Sequence, residues 1–358
     1  MEKQWRVAES CPVDFRQAIG QPIIAQLLWN RGIRSREEAH SFLHPSWNDH
    51  IHDALQFKQM EGAVRSVFHA LTSGERITVH GDYDADGVTG STLIMSVLQE
   101  LALKTGSAST IDSYIPHRDK EGYGLHVNTV PKLKERGTSL IITVDCGIAC
   151  VDEIALAKAQ GMQTVVVDHH QFGETVPDGF LIHPGLPEES YPFKHLAAVG
   201  VAFKFACALY TEARAKGLDI PDGREKWLLD LVAIATVTDM VPLIGENRVL
   251  ETYGLTVLNK TRRPGFLALF ELAGIEPGGV TSETVGFAIG PRINAAGRMD
   301  HAEVALRLLM SPSLDEARLV ARELEHLNKA RQEATKRMMS EADELVGDTP
   351  SGNVIVLK

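Results

Sequence analysis

The sequence predicts an α/β protein in which a parallel sheet flanked by helices follows a helical N-terminal region and precedes a helical second half with a long C-terminal connector helix. Three observations lead there. Apolar, β-branched runs occur at RITVH from Arg76, LIITV from Leu140 and TVVV from Thr164. Helical segments separate them, the alternation expected of parallel strands buried on both faces. Each run also ends in acid or imidazole, and ligands gather at the carboxyl ends of strands in open parallel sheets.

Taken in order, residues 1–75 read as mainly helical. PIIAQLLWNRGI from Pro22 and SREEAHSFLHP from Ser35 are short amphipathic segments, and Ser35 with Glu38 has capping-box spacing. Strands and helices alternate from Arg76 to Gly185, and helices dominate from Tyr191 to Met310. From Ser313 to Val346, Leu314, Ala317, Leu319, Val320, Leu324, Leu327 and Ala330 recur at helical spacing among many charges, which predicts one long exposed helix. NVIVLK from Asn353 then reads as the opening of a new strand.

The 358 residues, 44% of them apolar, exceed one ordinary domain and suffice for a sizeable core. No apolar stretch is long enough to span a bilayer, and the N-terminus lacks the apolar centre of a secretory signal, so the chain reads as cytoplasmic. Cys11, Cys146, Cys150 and Cys207 are too scattered for a disulfide framework. Cys146 and Cys150 have a spacing found in zinc sites but no second pair, so they read as core or near-site thiols. The net charge of −11 argues against a nucleic-acid coat protein, though not against a nucleic-acid enzyme with a local basic groove.

The chemistry concentrates at the run ends. His80, Asp82, Asp84 and Asp86 fall within seven residues, and carboxylates that close repel unless a cation lies between them. Asp145 ends the second run, Asp168, His169 and His170 end the third, and Asp239 ends the helical stretch LVAIATVTD. Asp and His without Cys suit Mn²⁺ or Mg²⁺, and the surplus of candidates over one ion's needs favours two ions sharing a carboxylate. Such a pair suits phosphoryl hydrolysis, with water as nucleophile and no covalent intermediate. For the phosphate, GPRINAAGRM supplies Arg292, Asn294 and Arg298 in what reads as a glycine-punctuated loop. His117 and Arg118 are weaker candidates.

In this order HGDYDADG, VDCGI, VDHH and ATVTDMVPL resemble the motifs of the DHH phosphoesterase superfamily. GPRINAAGRM and the N-terminal helices resemble its RecJ-type family of single-strand-specific 5′→3′ exonucleases. The resemblance covers essentially the whole chain. It implies His80 and Asp84 on one ion, Asp145 bridging, and Asp86, His169 and Asp239 on the second. It implies His170 beside the scissile phosphate, Asp168 orienting its neighbours, and Asp82 as a base or an orienter of His80. Arg298 and its segment would hold the DNA backbone.

The implied domains are the helical region over 1–75, the phosphoesterase domain over 76–310, the connector over 311–347 and the start of a second lobe over 348–358. Family members continue into that lobe, which carries a phosphate-binding motif, and then into an OB-fold. The implied activity is two-metal hydrolysis of single-stranded DNA to 5′-mononucleotides in repair and recombination. The implied partners are the strand itself and a single-strand-binding protein or helicase. The alternatives are a small-substrate phosphoesterase acting on an oligonucleotide, a cyclic dinucleotide or pyrophosphate, and a non-catalytic fragment.

Overall fold

The computed structural model describes residues 4–276, 278–346 and 356. Helices α1 (Val13–Ile19), α2 (Pro22–Asn30) and α3 (Arg36–Leu43) enclose a small core of their own, in which Phe15, Ala25 and Leu28 are buried. The predicted capping box is present: Ser35 Oγ accepts from Glu38 N, and the Glu38 carboxylate accepts from Ser35 N. After the short α4 (Trp47–His50), helix α5 (Met60–Thr72) packs under the sheet, so the residues before 76 divide between two cores.

The sheet has five strands in the order β2-β1-β3-β4-β5, parallel throughout. These are β1 (Arg76–Gly81), β2 (Ile111–Tyr114), β3 (Thr138–Val144), β4 (Gln163–Val167) and β5 (Phe180–Ile182). Helices α6 (Ala85–Thr105), α7 (Thr129–Glu135) and α8 (Val151–Ala159) make the first three crossovers. Alternate strand residues point to opposite faces. Ile77, Val79, Ile142, Val144, Val165 and Val167 enter the main core with α5, α6 and α9 (Ala198–Ala215), while Ile141, Val166 and Leu181 pack with residues of α7 and α8. Burial on both faces is the reason these runs are apolar without alternation.

This strand order places a topological switch point between β1 and β3, where the crossovers diverge and leave a crevice at the carboxyl ends. The backbone continues there as a staircase. Asp82, Asp145 and Asp168, each just past its strand, donate their amides to Val144, Val167 and Ile182 on the neighbouring strand. Three acids are thereby pinned along one edge.

The helical half comprises α9, α10 (Leu229–Thr238), α11 (Gly245–Leu258), α12 (Pro264–Ala273), the short α13 (Ser282–Thr284), α14 (Gly290–Met299), α15 (Glu303–Leu309) and α16 (Leu314–Val346). As expected, α16 is one long helix, seated on α12, α14 and α15. GPRINAAGRM corrects the sequence reading, because it is helix α14 rather than a loop, entered through a π-turn at Val285–Ile289. Pro291 sits in its first turn, directly after the π-turn. Its glycines serve close approach rather than bending. A Cβ on Gly297 would lie 2.3 Å from the Tyr83 carbonyl oxygen, and one on Gly290 2.2 Å from Thr238 Cγ2. The strand expected from Asn353 lies outside the described residues. Among the described residues no helix is long and apolar enough to cross a membrane.

Candidate metal centre

Each ligand candidate is held by its backbone before any ion enters. Asp84 is the N-cap of α6, its Oδ1 accepting from the amides of Asp86 (2.9 Å) and Gly87 (3.1 Å). Gly87 is required at this turn, since a Cβ there would lie 2.6 Å from the Asp82 backbone N and O. Asp86, two residues on, is fully buried and accepts from Ala198 N (2.7 Å) and Val199 N (2.8 Å) at the start of α9. Asp145 adopts φ 63°, a left-handed conformation rare for a side-chain-bearing residue, so that β3 ends abruptly at the crevice. Asp239 caps the C-terminus of α10.

Among the described residues, three groups of donor atoms converge closely enough for ions: Asp82, Asp84 and Asp145; Asp86, His169 and Asp239; and Asp145, His169 and His170. Asp145 belongs to two of them. His169 Nε2 lies 3.3 Å from Asp145 Oδ1 and 3.7 Å from both Asp86 Oδ2 and Asp239 Oδ2, yet makes no hydrogen bond. Burial, then the neighbouring His170, lowers the His169 pKa to about 4, so these contacts pair a neutral imidazole with carboxylates. His80 Nε2, Asp82 Oδ1 and Asp145 Oδ1 are likewise buried and unpartnered. Acceptors that converge without a donor fit a divalent cation between them.

The electrostatics agree. Burial, then the charges of Asp239 and Asp84, drives Asp86 well above the carboxylate range, and burial with Asp86 does the same to Asp145. Asp82 is pushed up to about 7 by burial and Asp84, and Asp239 to about 6 by burial and Asp84. These acids resist ionising together unless a cation joins them.

The sequence held Asp82 apart as a base or an orienter, whereas the structure sets its carboxylate among donors with Asp84 and Asp145. His80 belongs to none of the three groups. It is fully buried between the Tyr114 ring, stacked at 5.5 Å, and Cys146, whose Sγ lies 3.6 Å from its Nδ1. Contact of one imidazole nitrogen with a second residue is the usual way a histidine's other nitrogen is aimed. Cys146 thus joins the near-site thiols foreseen from sequence.

Burial pushes Asp168 up, but hydrogen bonds from His170 and the Ile148 amide, with the His170 charge, outweigh it and hold its pKa below the usual value. Its Oδ1 accepts from His169 N (2.7 Å) and lies 2.9 Å from His170 Nδ1, and its Oδ2 accepts from Ile148 N. The Asp168 hydrogen bond raises the His170 pKa, and His170 remains half-exposed. Sequence reasoning missed Tyr123, whose hydroxyl donates to the Asp145 carbonyl (2.8 Å) and lies 3.0 Å from His170 Nδ1. Its only sequence signal was its place in the loop that carries His117 and Arg118.

The substrate candidates disperse. Arg292 is corrected from phosphate clamp to helix tie: its Nε bonds Glu325 Oε2 on α16 (2.8 Å), and its Nη1 donates to the Ala288 carbonyl. Asn294 Oδ1 accepts from Ala85 N (2.8 Å), docking α14 against the start of α6. Arg298 is exposed. Arg118 stacks on Tyr83 at 5.1 Å, beside Asp82, while His117 stands edge-on to His301.

A family model described as the DHH family, N-terminal domain, matches residues 76–236. Curated relatives include the single-stranded-DNA-specific exonuclease RecJ of Bacillus subtilis, 44% identical over 91% of this chain and 39% of the relative. That of Escherichia coli is 38% identical over 90% of this chain and 55% of its own length. The chain therefore spans about half or less of the curated relatives it matches. A crystal structure of exonuclease RecJ bound to manganese is similar with a TM-score of 0.71 and 36% identity, over 81% of this chain and 71% of that one. RecJ from Thermus thermophilus in complex with Mn²⁺ gives 0.76 and 33%, over 94% and 47%.

Proposed function

The chain belongs to the DHH family, in its RecJ branch, and from that premise we propose that it is a metal-dependent phosphodiesterase that hydrolyses single-stranded DNA from the 5′ end to 5′-mononucleotides. The observation that carries the reading is the convergence on His169 of three carboxylates, none hydrogen-bonded to it.

His80 and Asp84, with Asp82 beside them, would hold one Mn²⁺ or Mg²⁺ ion; Asp86, His169 and Asp239 would hold another; Asp145 would be shared. Bound ions supply Lewis acidity to the scissile phosphate and lower the pKa of the attacking water. The protein's own part is positional. Asp168 holds His170 through Nδ1, which leaves Nε2 as a donor to a phosphate oxygen, and the raised pKa of His170 favours its charged form. Tyr123 braces the Asp145 backbone and His170 together. Arg298 contacts the DNA backbone. By kinship with the exonucleases, a single-strand-binding protein or helicase would present the strand, and the chain would act in the cytoplasm. On the same basis, the domain boundaries near residues 75, 310 and 347 are part of the proposal.

The test is product analysis with Mn²⁺ on single-stranded and duplex DNA labelled at either end. Mononucleotide release from the 5′ end of the single strand alone is the expected result. Preference for a dinucleotide or pyrophosphate over the strand would overturn it. Within that assay Arg298→Ala raises KM and flattens the salt dependence by about 0.7 in the log–log slope, the value for one single-strand phosphate contact. An unchanged salt profile would remove Arg298 from the backbone contact.

A further inference from the structure

Several arginines on the helical half are paired with acids. Arg292 bonds Glu325, Arg307 bonds Glu323, and Arg318 bonds Glu271 and Asp315. Arg298 and Arg331, like Arg248, Arg262, Arg322 and Arg337, have no carboxylate partner among the described residues, but these two lie together. Arg331 donates through Nη2 to Asn328 Oδ1 (3.2 Å), and its Nε is buried with no partner at all. Both arginines line one groove of about 740 Å³, in which Glu283 is the one acid among the lining residues.

The same groove carries two large apolar side chains in solvent, Met240 at 87% and Phe287 at 84% exposure. Neither is there by default of packing. Met240 follows the ligand candidate Asp239 and adopts φ 59°, a conformation a side-chain-bearing residue rarely takes. Phe287 projects from the π-turn before α14, a helix distortion that occurs often at functional sites. Special backbone at both positions thus presents apolar surface immediately beside the metal centre, next to two guanidiniums that lack counter-charges.

We propose that this groove is a subsite for the DNA strand next to the metal centre, in which Phe287 and Met240 stack against bases while Arg298 and Arg331 hold phosphates. The proposal rests on the nuclease reading and deepens it. Stacking on apolar and aromatic side chains beside a positive backbone track is the general mode of sequence-tolerant single-strand binding. A polyanion supplies the charge both arginines lack, whereas an apolar protein face would cover Phe287 and Met240 but leave both guanidinium charges unpaired.

The test compares wild type, the double variant Phe287→Ala with Met240→Ala, and Arg331→Gln, hydrolysing an eight-nucleotide and a two-nucleotide oligothymidylate in Mn²⁺. The double variant raises KM for the longer strand about tenfold, the equivalent of one lost stacking contact, with a smaller change on the dinucleotide. Arg331→Gln also lowers the log–log salt slope by about 0.7. Mn²⁺ affinity by calorimetry stays at the wild-type value in all variants. Wild-type KM in the variants on the longer strand, or equal losses on both lengths, overturns the subsite. So does a sedimentation shift showing that the groove is buried between copies of the chain. If wild type hydrolyses neither strand, the nuclease reading itself fails; hydrolysis with indifferent variants defeats the subsite alone.

Discussion

Asp145→Asn abolishes Mn²⁺-supported hydrolysis and, in protein stripped of metal, raises the melting temperature. The first effect follows from position. Asp145 is the one carboxylate common to two of the converging donor groups, so its loss disturbs both proposed ion sites. Metal stabilisation of developing charge amounts to several kcal/mol, which corresponds to a loss of roughly a thousandfold or more in kcat.

The second effect follows from the raised pKa of Asp145. A carboxyl whose folded-state pKa exceeds its unfolded value binds more protons in the folded state, so its contribution is full at low pH and is lost as pH rises. Asp82, Asp86, Asp145 and Asp239 all have this sign. The depressed histidines His80 and His169, both at about 4, have the opposite sign but act only between about pH 4 and their unfolded pKa of about 6.5. Above pH 6.5 Asp86 and Asp145 remain, with the last part of the Asp82 titration, while Asp239 at about 6 is mostly ionised. His170, whose raised pKa gives the same sign, joins them. The metal-stripped protein therefore loses stability from pH 6.5 upward, Asp145→Asn loses less, and Mn²⁺ restores the wild type by binding the folded state. Thermal melts in chelator at pH 6.5 and 8.5, with and without Mn²⁺, check this. A variant that melts below wild type in chelator, or that still hydrolyses DNA, sinks the shared-ligand assignment.

Glu246→Ala destabilises the fold by about 3–5 kcal/mol, measured as a fall in the urea midpoint. Glu246 and Lys204 form an ion pair that is almost fully buried, between α11 and α9. Tyr191 OH donates to Glu246 Oε2 (2.6 Å), His52 N donates to Oε1 (3.1 Å), and Lys204 Nζ donates to the His52 carbonyl (2.7 Å). Removing the carboxylate strands a buried ammonium with a single carbonyl partner. Replacing both members, as Lys204→Met with Glu246→Leu, recovers most of the loss, because the desolvation cost then disappears along with the attraction. A single variant as stable as wild type would show that the pair is not what ties the residue 52 segment to the helices.

Much of this protein was legible in its sequence because its signals are local. The apolar runs at Arg76, Leu140 and Thr164 become parallel strands because burial on both faces demands continuous apolar residues. Asp84, Asp86, Asp145, His169 and Asp239 stood out as candidates because each lies at or just past the end of an apolar run, and the structure brings them together at one edge. The capping box at Ser35 and the long helix at Leu314–Val346 follow from spacing alone.

What only the tertiary structure decided lies between segments far apart in sequence. GPRINAAGRM looked like a loop because glycine usually marks one, yet Gly290 and Gly297 are small so that a helix can touch Thr238 and the Tyr83 carbonyl. Arg292 and Arg298 are alike in sequence, and only the packing of α16 gives the first a carboxylate partner and leaves the second without one. Tyr123 and Arg331 enter the functional region through neighbours that no spacing rule specifies. The sequence by itself determined which chemistry the strand ends carry, since that depends on residue type and local periodicity. Which side chains are free to use that chemistry was decided by packing, because a charge paired in the fold is no longer available to a substrate.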